Sequence, residues 1–343
     1  MQPRISRSDC IEGTIGMLTI DGSVLEGGGQ VVRTAVALSA ITGTPVTIDT
    51  IRAGRERPGL RAQHIAAIQA VAKTCRARCE GLATGSTRVI FIPGDPVRED
   101  IHVDIGTAGS IPLVIQAWLP VALHVGGTVT ISGGTEVENS PTIDYVQHLH
   151  MNFLQQHGAD VIMTIMKRGY YPEGGGLVRV EVQRPVELKA LSPATTENQI
   201  PEIFSCSSHL PPHVVERQAE SGKVHLGGAG GAVRIHNDTR PGPGTGSSVT
   251  MVCGWKGSSA IGRRGLPAEK VGEIAAGRLL DELKKPGSID LHLADQLLIY
   301  LAQYGGSYTA TDCSLHASTV CFVLSRFGYR VKMEQRKEVV FCI

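Results

Sequence analysis

The sequence predicts an α/β (α+β) protein: a large domain of tandem repeated two-helix, four-strand units, with a smaller α/β domain inserted into it. Three observations predict it. Short strand-like apolar runs alternate with helical ones along the chain, and the alternation restarts at a second small-residue corner. Composition then shifts towards Ser, Pro and Gly between residues 187 and 287 before the original style returns. The boundaries read from these shifts are 1–186 and 288–343 for the large domain and 187–287 for the insert.

After the polar leader MQPRISRSDC, Gly16 to Asp21 reads as a strand and Gln30 to Ile41 as a buried helix, apolar on every side. Between them DGSVLEGGGQVVR forms a sharp corner. Gly27, Gly28 and Gly29 lack a Cβ, so the backbone can bring N–H groups against an anion at the positive end of the following helix. Glu26 could hold a divalent cation on the same ligand. A tight turn with a surface carboxylate explains the triplet equally well. Neither a dinucleotide fingerprint nor a Walker loop fits, because Val32 stands where the third glycine belongs and no Gly-Lys-Ser/Thr run follows.

Pro45 to Ile51 reads as a strand, and IRAGRERPGLR then crowds Arg52, Arg55, Arg57 and Arg61 at the entrance of a helix from about Gln63 to Arg78. Guanidinium forks match phosphate oxygens in pairs, although a solvated charged loop has the same composition. Thr87 to Ile92 is a strand. The second corner, GTAGS at Gly106 to Ser110, introduces a helix from Ile111 to His124 carrying the isolated amide Gln116. Strand VTISGG, a helix from about Ile143 to His157, and strands Val161 to Met166 and Leu177 to Val182 complete this unit. The triplet Gly174 to Gly176 reads as a turn or bulge.

In the insert, helices are expected at Pro212 to Ala219 and Pro267 to Lys284 and strands near Ala232 and Ser248, with GGAGG (Gly227 to Gly231) and RPGPGTG (Arg240 to Gly246) as hairpin loops. Beyond Ser288 come helix Leu293 to Tyr304, strand Ser307 to Ala310, helix Leu315 to Phe327 and strands to Ile343.

The bulk numbers bound the function. At 343 residues, 42% apolar and 19% charged, the chain is globular, and disordered or collagen-like classes are excluded. A net charge of +1 leaves any nucleic acid to a local basic patch. The eight cysteines are scattered, with Cys75 and Cys79 at helical spacing, so reduced thiols in a cytoplasmic protein are expected rather than a zinc ribbon or disulfide framework. The leader lacks the apolar core of a signal peptide, and no apolar run approaches the roughly 18 residues that span a bilayer, so no membrane role is expected.

Polar residues in apolar surroundings mark the remaining candidates. Asp295 and Gln296 sit in the helix DLHLADQLLIYLA, where unpaired polar groups are costly, so they either pair internally or read a ligand. His316 stands at the entrance of the last helix; taken alone, such a histidine is a capping or packing residue as readily as a reacting one.

Seven segments in order resemble one family: EGGGQVVR, IRAGRERPGLRAQH, GTAGS, GGT followed by SPTIDY, YYPEGGG, HLADQL and SLH at Ser314 to His316. The chain resembles the RNA 3′-terminal phosphate cyclases almost from end to end. That resemblance implies ATP-dependent conversion of an RNA 3′-phosphate end to a 2′,3′-cyclic phosphate in three nucleotidyl steps, with ATP as cosubstrate, Mg²⁺ or Mn²⁺ as the metal, and no obligate protein partner. His316 would be the nucleophile that carries AMP, and Glu26 the metal-binding carboxylate. Arg33, Arg52, Arg55 and Gln63 would surround the ATP phosphates or the RNA end. Gln116, Pro141 and the segment His292, Leu293, Ala294, Asp295 and Gln296 would form the nucleotide pocket. Two positions depart from the family pattern: His292 stands where tyrosine is common, and SLHASTV replaces a histidine followed by leucines and Thr-Asn. The competing class is a cyclase-like binding protein of ribosome assembly, which the retained His316 disfavours. An enolpyruvyl transferase, with similar repeated units, would not explain the HLADQ and SLH segments together.

Overall fold

The computed structural model describes residues 16–193, 199–227, 232–335 and 337–343. The polar leader and residues 228–231 of the GGAGG segment lie outside them. The first unit runs β1 (Leu18–Asp21), α1 (Gly29–Thr42), β2 (Val46–Asp49), α2 (Ala62–Cys75), β3 (Arg78–Glu80) and β4 (Val89–Ile92). Its sheet order is β1-β2-β4-β3, with β1 parallel to β2 and the other pairs antiparallel. The second unit has the same order and senses: β5 (Asp100–Asp104), α3 (Ile111–Val125), β6 (Gly127–Gly133), a helix in three parts, then β7 (Val161–Lys167) and β8 (Gly176–Val182), ordered β5-β6-β8-β7. The three-part helix is α4 (Ile143–Tyr145), a π-helical stretch Val146–Met151, and α5 (Asn152–Gln156).

The C-terminal unit is α8 (Leu291–Tyr304), β13 (Ser307–Ala310), α9 (Leu315–Arg326), β14 (Lys332–Gln335) and β15 (Val339–Cys342), ordered β13-β15-β14. Its opening strand shrinks to one bridge, Ile289 parallel to Ala310. The tandem repeat is therefore real, and its third copy is abbreviated.

Between the second and third units lie β9 (Glu202–Ser208), α6 (His213–Gly227), β10 (Arg234–Thr239), β11 (Gly246–Cys253), β12 (Lys256–Ile261) and α7 (Ala268–Lys284). They form a separate sheet, β10-β9-β11-β12, with its own apolar cluster around Ile203, Val249, Met251, Val271 and Leu279. The three repeats share one continuous core, in which α3 is buried almost along its whole length.

Three local expectations change. RPGPGTG is not a hairpin loop: β10 and β11 both pair with β9, on opposite sides, so the segment crosses the end of β9. The GGAGG segment joins α6 to β10, a helix to a strand, and α6 continues to Gly227 rather than ending at Ala219. The helix expected to reach Arg78 stops at Cys75 because Arg76 turns left-handed (φ 50°), and Arg78 opens β3. No helix among the described residues is long and apolar enough to cross a membrane.

Candidate active site

The glycine corner joins β1 to α1. Asp21 accepts the Ser23 amide at 2.9 Å and the Thr50 hydroxyl, which fixes where the chain leaves the strand. Gly27 takes φ +58°, a conformation costly for any residue with a Cβ. A Cβ on Gly28 would run into the Glu26 carboxylate, and one on Gly29 into His64 Nε2 and Arg33 Nη1. The triplet is thus dictated by close approach. Two of the corner's amides are already committed: Gly27 N–H to the Val24 carbonyl at 3.0 Å, and Glu26 N–H to the Thr319 hydroxyl of α9 at 3.3 Å. They are unavailable to a phosphate, and the second pins the corner to the last helix.

That pinning brings Glu26 and His316 together. Glu26 Oε2 faces His316 Nδ1 across 3.9 Å, while Oε1 pairs with Arg55. Oε2 is buried and has no hydrogen-bond partner. The imidazole of His316 is half exposed, on the second residue of α9, whose cap Ser314 accepts the Ala317 amide at 2.8 Å. Its pKa is lowered from 6.5, first by burial and then by Arg33, His292 and Arg55, so the ring is neutral at pH 7. His292, at the start of α8, is thereby placed within electrostatic range of His316.

Between α1, α3, the π-helical stretch, α8 and α9 runs a narrow cleft of about 20 Å³, lined by Arg33, Gln116, His150, Asp295, Gln296 and Val320 among others. Arg33 is 7% exposed; its Nη2 donates to Gln30 at 2.6 Å and its Nε has no partner. Burial pushes the guanidinium down to about 10, with Asp295 opposing. Asp295 accepts from the Ser314 hydroxyl at 3.2 Å, yet burial pushes its carboxyl up to about 8. The attraction between the two does not offset the desolvation of either. Gln296 donates to the His292 carbonyl at 2.9 Å and leaves Oε1 unpaired.

The other expected residues are placed differently. Leu293 and Ala294 have fully buried side chains in the core, and the Ala294 carbonyl accepts the Tyr308 hydroxyl. Arg52 donates to the carbonyls of Arg57 and Gly59, both at 2.9 Å, and so braces its own loop. Gln63 accepts the Ser110 amide at 3.0 Å, tying the arginine loop to the second corner. Pro141 is half buried on the loop before α4, next to Ser140, and is not among the cleft-lining residues.

Against known proteins, the family model described as RNA 3′-terminal phosphate cyclase matches residues 24–333. The chain belongs to the RNA 3′-terminal phosphate cyclase family. It is 43% identical to the cyclase of Methanococcoides burtonii over 328 residues, which is 94% of this chain and 98% of that one. It is 41% identical to that of Archaeoglobus fulgidus (94% and 100%) and 42% identical to that of Pyrococcus furiosus (92% and 94%).

Three features of this cyclase-family chain escaped sequence reasoning. His64 is 4% exposed under Gly29, its Nδ1 accepting the Arg61 amide at 3.0 Å. Burial, then Arg33, Arg52 and Arg61, push it down to about 3, so it is a permanently neutral prop beneath the cationic group. His150 lies in the cleft. Arg168 forms a buried ionic cluster with Glu136 and Asp144, both at 2.8 Å, and with Asp238 of β10 at 3.2 Å, fastening the separate sheet to the second repeat. The only sequence signal for that cluster was its position inside the segments around SPTIDY and YYPEGGG.

Proposed function

We propose that the enzyme converts an RNA 3′-phosphate end to a 2′,3′-cyclic phosphate with ATP, through a covalent AMP on His316. The observation that carries this is the meeting of Glu26 and a neutral His316 within the field of Arg33, which lines a cleft together with Asp295 and Gln296. In the first step a lone pair of His316 attacks the α-phosphorus of ATP, forming an N–P bond as pyrophosphate leaves. Nδ1 is turned toward Glu26, so Nε2 is the nitrogen left for phosphorus. A neutral imidazole needs no separate base for this.

In the second step an oxygen of the RNA 3′-phosphate takes the AMP from His316 and the N–P bond breaks. In the third the terminal 2′-OH attacks the activated phosphate, loses its proton, and expels AMP as the ring closes. Every step moves charge among phosphoryl oxygens, so alignment and fixed positive charge dominate. Arg33 is held in place by Gln30 and by the absence of a Cβ on Gly29, and an incoming phosphate restores the solvation that its burial removed. Exposed Arg55 is free to exchange Glu26 for phosphate.

A divalent cation fits the orphaned Glu26 Oε2. Among the described residues no cluster of three His, Cys, Asp or Glu could hold one alone, so Glu26 would share it with phosphate oxygens and water. The cation would neutralise phosphate charge.

With ATP labelled at the α-phosphate and Mg²⁺ or Mn²⁺, the protein is expected to acquire an acid-labile, base-stable label. His316→Ala abolishes it, and Glu26→Ala raises the metal concentration needed. An undiminished label in His316→Ala refutes the assignment of the nucleophile, and an unaltered metal requirement in Glu26→Ala removes the carboxylate's role.

A further inference from the structure

The cleft holds more unpartnered polar atoms than transfer at His316 uses. His150 is 1% exposed, lines the cleft, and has no partner at either ring nitrogen. It sits on the π-helical stretch Val146–Met151, a local geometry that concentrates at functional sites. Gln296 Oε1 and Arg33 Nε, from facing helices, are buried and unpaired in the same cleft. Orphans of this kind cost about 1–3 kcal/mol each, so a polar group from outside is expected to complete them.

The donors and acceptors limit what that group is. Burial pushes His150 down to about 4, so the ring is neutral and offers one N–H and one lone pair. Gln296 Oε1 only accepts and Arg33 Nε only donates. A phosphate, which only accepts, leaves Gln296 Oε1 and the His150 lone pair unpaired. A hydroxyl both donates and accepts, and suits all three. Its location agrees. Val320, four residues past His316, lines the cleft about 6 Å along α9 from the nucleophile, on the scale that separates a nucleotide's α-phosphorus from its sugar hydroxyls.

We propose that His150, together with Gln296, reads a ribose hydroxyl of the adenylyl donor and makes the cleft floor selective for ribonucleotides. This rests on the nucleotide-transfer reading above. The test compares the full-length protein with His150→Leu and His150→Asn, using labelled ATP, 2′-deoxy-ATP, 3′-deoxy-ATP and GTP as nucleotidyl donors. Nucleotide-induced shifts in melting temperature are measured alongside. Wild type is expected to use one deoxy donor roughly tenfold less well than ATP, the worth of one hydrogen bond. In His150→Leu that penalty shrinks to about twofold, His150→Asn keeps part of it, and the ATP-to-GTP ratio is unchanged. A full deoxy penalty in both variants overturns the proposal. So does a loss of ATP-over-GTP preference instead, which would put the base edge on the floor. If wild type takes no label, the transfer reading fails by itself; ribose selectivity is then decided by the melting shifts, where equal stabilisation by ATP and both deoxy analogues overturns it.

Discussion

Asp295→Asn is expected to stabilise the free enzyme while slowing AMP transfer, and pH separates the two effects. The carboxyl is 8% exposed, and burial pushes it from 3.8 up to about 8 despite the Ser314 hydroxyl and Arg33 pulling the other way. A carboxyl whose native pKa lies above its unfolded one binds more protons in the native state. Stability therefore falls as pH rises between the two values and levels off above the higher. Each pH unit in that window costs about 1.4 kcal/mol, so the penalty grows by about 3 kcal/mol between pH 5.5 and pH 8. Asparagine keeps an acceptor for Ser314 and removes the titration. Urea unfolding of parent and variant, followed by circular dichroism without nucleotide, should show the variant more stable at both pH values and the gap wider at pH 8 by about 3 kcal/mol. A gap independent of pH, or a variant less stable than the parent at pH 8, refutes the claim that Asp295 holds an uncompensated charge in the free enzyme.

Three further outcomes follow from the same geometry. Gly29→Ala drives a Cβ into His64 and Arg33 and should cost about 1–3 kcal/mol in unfolding free energy; adding His64→Ala should return part of that loss in the same melts. Arg168→Met leaves Glu136 and Asp144 buried without their cation and should cost about 3–5 kcal/mol. Because burial pushes Glu136 up to about 7, neutralising it is easier in acid, so urea unfolding should show a smaller loss at pH 6 than at pH 8. The histidine limb of the adenylylation profile should lie below the ordinary histidine pKa of 6.5, since His316 is lowered from it; Arg55→Met, removing one of the cations that lower it, should move that limb upward. A limb unmoved by that variant would count against electrostatic tuning of His316.

Legibility differed with how much a local pattern reveals. The first two repeats were readable, apart from the short β3 and β5, because each apolar strand, corner and helix carries its own period and punctuation. The third copy was as readable from α8 onward, and only its opening strand was not, since a strand reduced to Ile289 has no period at all. β9 and β12 were missed because EIFSCSS and KGSSAI bury hydroxyls where an apolar alternation is sought; Ser205, for one, donates to the Val215 carbonyl. In the site, Asp295, Gln296 and Gln116 stood out as polar residues in greasy helices, and all three line the cleft. Arg52 and Gln63 looked like ligand-facing groups; that Arg52 Nη1 also braces loop carbonyls and Gln63 Oε1 also accepts a backbone amide is a second role that only coordinates reveal. A 3.6-residue count already groups His150 with Ile143, Val146 and Leu154 on the apolar face of its helix, where a histidine reads as a core residue; that both its ring nitrogens lack partners shows only in the coordinates.

The repeated unit explains why an anion site arises at this place. Each copy directs the entrances of its helices toward one side of its sheet, and the positive ends of α1 and α9 are locked together by the Glu26 amide and Thr319. Such entrances favour negative charge before any particular side chain is chosen. What the sequence adds is deliberate incompletion: Glu26 Oε2 has no partner, Arg33 is held below its ordinary pKa, and Asp295 is held above its own. On the nucleotide-transfer proposal, the orphaned Glu26 oxygen would be met by the cation and the buried Arg33 by phosphate. On the same proposal, these uncompensated groups destabilise the free enzyme, and nucleotide binding would relieve them around His316.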